Sequence, residues 1–145
     1  MGKKHRADTN AVMRAAAFRA ALRSFLRESE HIARKNGLTP QRYLLLLMIK
    51  GAPDGSERAT VGELGERLQL AQSSVTELVQ RAEEAGLVER AQSEDDARVA
   101  HLSLTDEGER RLRGAFTALE LEREQLRQAV STSDAGARGR PSRPL

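Results

Sequence analysis

The chain is 145 residues long, 39% hydrophobic and 31% charged, enough for one domain with a real core and too little for two comfortable ones. It has no cysteine, which excludes disulfides, thiolate metal sites, cysteine nucleophiles and cysteine-based redox sensing, and makes a reducing cytoplasm the expected location. The net charge of +3 hides an uneven distribution: residues 1–50 hold 11 Lys+Arg against 3 Asp+Glu (+8), residues 51–100 hold 5 against 11 (−6), and residues 101–145 hold 8 against 7 (+1).

Residues 1–9 are basic, lead into no hydrophobic signal region and read as a flexible terminus. From Asn10 to Lys35 the period is helical, with Met13, Ala17, Ala21, Phe25 and Ile32 near one side and arginines around the rest; Gly37 stops it. A second helix begins with Thr39 as N-cap and Pro40 in the first helical position, and ends at Gly51. Its run from Tyr43 to Ile49 is apolar almost all round, so it is the expected centre of the core, and it falls far short of the roughly 20 residues a membrane span needs. "APDGSER" reads as a loop.

Thr60 and Glu63 have capping-box spacing and predict a short third helix. After Leu70 a fourth helix carries Val75, Leu78, Val79 and Ala82 as a buried stripe, shows Gln72, Ser73, Thr76, Glu77 and Gln80 on its other face, and stops at Gly86. The period then changes: Ala100, Leu102 and Leu104 alternate with polar residues, and with "LVERA" before them they predict a β-hairpin. One long helix follows Thr105, with Leu112, Phe116, Leu119, Leu126 and Val130 as a seam for another helix, interrupted by Arg123. Residues 131–145, rich in Gly, Pro, Ser and Arg, predict a disordered basic tail.

Two helices joined by a tight turn form a helix-turn-helix whose second member can enter a major groove, and a hairpin directly after it adds a wing. The expected fold is therefore mainly α with a small β-hairpin wing (α+β). Short amide and hydroxyl side chains at Gln72, Ser73, Ser74, Thr76 and Gln80 suit base edges. The lone Arg98 at the hairpin tip suits a narrow minor groove, with Asp96 two residues earlier expected to brace its guanidinium.

"LTPQRYLLLLMI", "ELGERLQLAQSSVTELVQRAEEAGLVER" and "DDARVAHLSLTDEG" together resemble the MarR family of winged-helix transcription regulators across about Leu38 to Leu112, and more loosely back to Asn10. The most specific part is the Asp96-Ala97-Arg98 element followed by "LSLTDEG". The resemblance implies a homodimer on a pseudo-palindromic double-stranded DNA site, often a repressor released by a small, commonly aromatic ligand. It implies a DNA-binding lobe over residues 38–105, dimerisation helices over 10–36 and 106–130, and Arg98 in the minor groove. The ligand would lie where the first, second and C-terminal helices approach the lobe, with Phe18, Phe25, Tyr43 and Met48 as candidate lining; the plainer reading of those four is core. This sequence departs from the family in three places. Ala71 stands where many members cap the recognition helix with Ser or Thr, Glu77 and Ala97 stand where many carry arginine, and no further apolar helix closes the chain.

His5, His31 and His101 lack the shared spacing of a metal site, and no phosphate loop, catalytic triad or metal-ligand cluster is present, so neither catalysis nor a cofactor is expected. The −6 balance of residues 51–100 supports an alternative, a winged helix used for protein interaction.

Overall fold

The computed structural model describes residues 4–135, with six helices and three short strands: α1 Lys4–Lys35, α2 Pro40–Lys50, β1 Arg58–Ala59, α3 Val61–Leu68, α4 Gln72–Glu84, β2 Val88–Gln92, β3 Ala100–Leu104, α5 Asp106–Ala118 and α6 Glu120–Ala135. Tertiary contacts divide the chain into two compact units, one of residues 30–118 and one of the residues up to Ser29 and from Leu119 onward. α5 falls in the unit that holds the helix-turn-helix.

In residues 30–118 the caps fall where their residues belong. The Thr39 hydroxyl accepts the Arg42 N–H at 3.2 Å and opens α2, while Gly37 takes the left-handed conformation (φ +75°) between α1 and α2. At the other end of α2, Arg67 donates to the carbonyls of Met48 at 2.6 Å and Gly51 at 3.2 Å, placing a cation on the negative end of the helix. Thr60 accepts the Glu63 N–H at 3.2 Å and its hydroxyl donates to the Glu63 carboxylate at 3.0 Å, so the box closes between the two side chains. Leu45, Leu46, Ile49, Leu64, Val75, Val79, Leu87 and Leu102 are fully enclosed, which makes α2 the centre of a core that α3, α4 and the sheet cover.

The sheet is antiparallel in the order β1-β3-β2, with Ala59 opposite Leu102 and Arg90 opposite Leu102 on the other side. β1 lies at the end of the segment expected to be loop; two residues are too few to show alternation in a sequence. From β3 the chain turns into α5 through Thr105, whose hydroxyl donates to the Gly86 carbonyl at 2.6 Å and accepts the Gly108 N–H at 3.1 Å. A side chain at Gly108 would collide with the Leu87 carbonyl. The "LSLTDEG" element thus locks the start of α5 to the end of α4.

The expected single C-terminal helix is interrupted at Leu119, giving α5 and α6. Neither glycine nor proline stands there, so local propensity does not cause the break. Of the seam, Leu112 and Leu119 are buried, Leu126 is half-buried, and Phe116 and Val130 are exposed. On α1, Ile32 is buried and Phe25 half-buried, but Met13 and Ala17 are exposed, and helix begins at Lys4 within the stretch expected to be flexible. Residues 131–135 are helical rather than tail, and the expectation for 136–145 lies outside the described residues.

Candidate nucleic-acid interface

Helix α4 buries Val75, Val79 and Ala82 and half-buries Leu78, which turns Gln72, Ser73, Ser74, Thr76 and Gln80 to solvent. All five expected base-reading residues therefore share an exposed face. Ala71 caps the helix without a side-chain bond, leaving first-turn N–H groups available to an anion. Thr76 spends its hydroxyl proton on the Gln72 carbonyl at 2.9 Å, so it presents outward only an acceptor and a methyl group. Among the described residues, the side chains of Gln72, Ser73, Ser74 and Gln80 make no hydrogen bond within the chain and are free for a ligand.

The tip between β2 and β3 is built by its own short bonds: Ser93 N–H to the Val99 carbonyl at 2.9 Å, Val99 N–H to the Asp96 carbonyl at 3.0 Å, and Arg98 N–H to the Asp96 carboxylate at 3.0 Å. The last bond corrects the expected brace. A carboxylate two residues ahead closes a turn on the backbone N–H, a short reach that the Asp side chain favours. Asp96 therefore shapes the loop that carries Arg98 rather than gripping its guanidinium. Arg98 is exposed, and its guanidinium has no ion pair among the described residues.

Other cations near α4 are occupied. Arg81 pairs with Glu77 at 2.6 Å and Arg90 with Glu83 at 2.6 Å. Further along the unit, Lys50 binds Glu109 at 2.7 Å and Glu57 at 2.9 Å, and those partners, Glu109 first, hold its ammonium above the ordinary lysine value. Glu107 is held down to about 2 by the guanidinium groups of Arg110 and Arg111. Arg111 also donates to the Gly37 carbonyl at 2.8 Å, tying α5 to the turn before α2. The pairs of Glu77 with Arg81 and of Glu107 with Arg110 and Arg111 lie at helical spacing, whereas Lys50 with Glu109 and Arg111 with Gly37 are distant in sequence.

The four candidate ligand residues are divided between the units. Phe18 and Phe25 belong to the helical unit, where Phe25 lines a cleft of about 400 Å³ with Ala21, Ser24, Glu28, Glu122 and Leu126. Tyr43 is buried in the core of residues 30–118 and Met48 is half-buried. In the same unit, Leu47, Leu112 and Phe116 line an apolar cleft of about 350 Å³ between α2 and α5, with Lys50, Glu109 and Arg113 at its rim. No helix among the described residues is long and apolar enough to cross a membrane.

A helix with a bare polar face, followed by a three-stranded sheet whose outer hairpin carries a free arginine, is the winged helix-turn-helix arrangement. Residues 36–99 match the MarR family profile. Over that segment the chain is similar to the MarR family. Its curated relatives include the organic hydroperoxide resistance transcriptional regulator of Bacillus subtilis, 33% identical over 89 residues that cover 61% of this chain and 58% of that protein. The transcriptional repressor MdtR of the same organism is 39% identical over 75 residues, 52% of this chain and 46% of that one. The chain thus spans about half the length of these MarR-type regulators. Among solved structures, a mutant of MarR from E. coli complexed with operator DNA superposes with a TM-score of 0.66 at 19% identity, covering 81% of this chain and 85% of that one, and shows the shared fold. The wing and recognition-helix residues Gln72 to Gln80 and Arg98 lie within the matched MarR segment.

Proposed function

We propose that this chain is a dimeric, sequence-specific DNA-binding regulator, a repressor relieved by a small ligand. The observation that carries this reading is the exposed face of α4 beside the free Arg98 of the hairpin tip. On it, Gln72, Ser73, Ser74, Thr76 and Gln80 read a half-site in the major groove, and Arg98 enters the flanking minor groove. The repressor reading is supported by the name of its relative MdtR, and the operator by the complex of MarR with DNA.

Dimerisation is supported by Val12, Met13, Phe18, Leu26, Leu121 and Val130, which stand exposed in the helical unit and need cover. Two copies would place their α4 helices one helical turn apart on the duplex. For the ligand, the apolar cleft between α2 and α5 supports entry of a small aromatic molecule, with Leu47, Leu112 and Phe116 as its lining in place of Phe18, Phe25, Tyr43 and Met48. A ligand that favours another spacing of the two lobes lowers DNA affinity by shifting populations. The alternative, a protein-binding winged helix, draws on the net −3 of residues 30–118, where 12 Lys+Arg meet 15 Asp+Glu.

Selection of bound sequences from a random duplex pool tests the proposal. Enrichment of an inverted repeat with half-sites about 10 base pairs apart is the expected result. Recovery of an unenriched pool, with no duplex retained at low salt, hands the site to a protein partner.

A further inference from the structure

We propose that the outward face of α1 is a second duplex-binding surface, one that holds phosphates through arginine without reading bases. The inference rests on the DNA-binding reading above and supplies what that reading lacks, a source of electrostatic attraction. Residues 30–118, which contain the recognition helix and wing, carry a net −3. The remaining residues hold 12 Lys+Arg against 6 Asp+Glu, a net +6, and residues 1–29 alone hold 7 against 2, or +5. Arg81 at the end of α4 and Arg90 on β2 are each neutralised by a glutamate, and Arg67 before α4 is taken up by the carbonyls of Met48 and Gly51. Duplex binding is driven largely by cations that displace counterions from phosphates, so an interface this acidic needs help from elsewhere in the molecule.

The charge on α1 is arranged as well as abundant. Arg19, Arg23 and Arg27 follow one another at four-residue steps along one side of the helix. At 1.5 Å per residue the row extends for about 12 Å, a length over which a duplex offers about 7 phosphate charges. Phe18, Leu22, Phe25 and the small polar Ser29 occupy the opposite side, and the burial of Ser29 and the half-burial of Leu22 and Phe25 assign that side to packing. All three arginines are exposed, and among the described residues none takes part in an ion pair. A guanidinium left without a carboxylate, in a chain that pairs at least five other arginines, is a bidentate phosphate donor ready for use. Because phosphates are the same on every sequence, this surface raises affinity without altering base preference.

The test is fluorescence anisotropy of the full chain on a random-sequence duplex between ~50 and ~200 mM salt, for wild type and for the combined variant Arg19→Gln, Arg23→Gln, Arg27→Gln. Loss of three phosphate contacts per chain, and so of six per bound dimer, should reduce the slope of log affinity against log salt by about 5.4 and weaken binding at the lowest salt at least ~tenfold. The sequence enriched from the random pool should stay the same. The matching triple Arg→Lys variant keeps the charge and should keep most of the slope, which separates phosphate binding from damage to the fold; thermal melting and sedimentation of each variant check fold and association state. A slope that does not change in the Gln variant overturns the inference while leaving the regulator reading intact. So does a Gln variant that binds duplex normally but no longer binds vesicles of anionic phospholipid, since the row then belongs to a membrane surface. Wild-type protein that binds no duplex at low salt defeats both readings together.

Discussion

The two compact units solve the problem of apolar surface in opposite ways. Residues 30–118 build an enclosed core, with Leu45, Leu46, Ile49, Leu64 and Leu102 fully buried, leave Leu44, Leu70 and Phe116 partly open, and turn hydroxyl and amide groups outward on α4. The helices of the other unit leave Val12 and Leu121 about two-thirds exposed, with Met13, Phe18, Leu26 and Val130 also open. A unit that finishes its own core is free to vary its surface chemistry, whereas a unit that leaves its apolar face open commits that face to a partner. On the function proposed above this is a division of labour, with reading built on the enclosed core and association on the open helices.

Truncation should break the symmetry of that comparison most sharply. Leu45→Ala removes a fully enclosed side chain and should cost about 2–5 kcal/mol of unfolding free energy in urea titrations, while Leu121→Ala should stay within about 0.5 kcal/mol. A comparable loss at both positions would erase the distinction between closed and open units. Next in size, Arg98→Ala should weaken binding to a selected operator by about 1–3 kcal/mol, most at A·T-rich flanks, as measured by anisotropy; an unchanged curve removes the hairpin from the reading scaffold. The pair Leu26→Glu and Leu121→Glu should raise the dimer dissociation constant at least ~tenfold, about 1.4 kcal/mol, in sedimentation equilibrium, with the fold of residues 30–118 unaffected. Thr60→Ala deletes the cap of α3 and should cost about 1 kcal/mol, a loss read in thermal melts that should leave self-association alone.

The smallest effect is a pH dependence. Glu107 has a pKa of about 2 against an ordinary value near 4.5, because Arg110 and Arg111 favour its carboxylate. A depressed carboxylate contributes stability that is fully present above the ordinary value and disappears as pH falls through the folded one. Glu107→Gln should therefore lower the melting temperature slightly above pH ~4.5, with the difference closing as pH approaches ~2. A difference that stays constant across this window would assign the effect to packing.

Much of the fold was legible because its signals are local. Thr39, Thr60, Gly37 and Gly86 each announce a helix end through chemistry that operates within a few residues, and every one does so in the structure. The α4 stripe of Val75, Val79 and Ala82 and the β3 alternation of Leu102 and Leu104 declared which faces are buried. Asp96 shows the limit of such reading, since spacing placed it beside Arg98 but could not say whether it would grip a side chain or close a turn. β1 and the break at Leu119 left no local mark at all.

The amino-acid order on its own determined the helix ends, the polar face of α4, the solitary arginine at the hairpin tip and the charge imbalance along the chain, because each depends on neighbours a few positions away. Tertiary structure alone decided that Arg67 caps α2, that Arg111 reaches Gly37, that α5 joins the winged-helix unit and that Gly108 must be bare beside Leu87. Those contacts join residues remote in sequence, and only the packing of one element on another sets the distance between them.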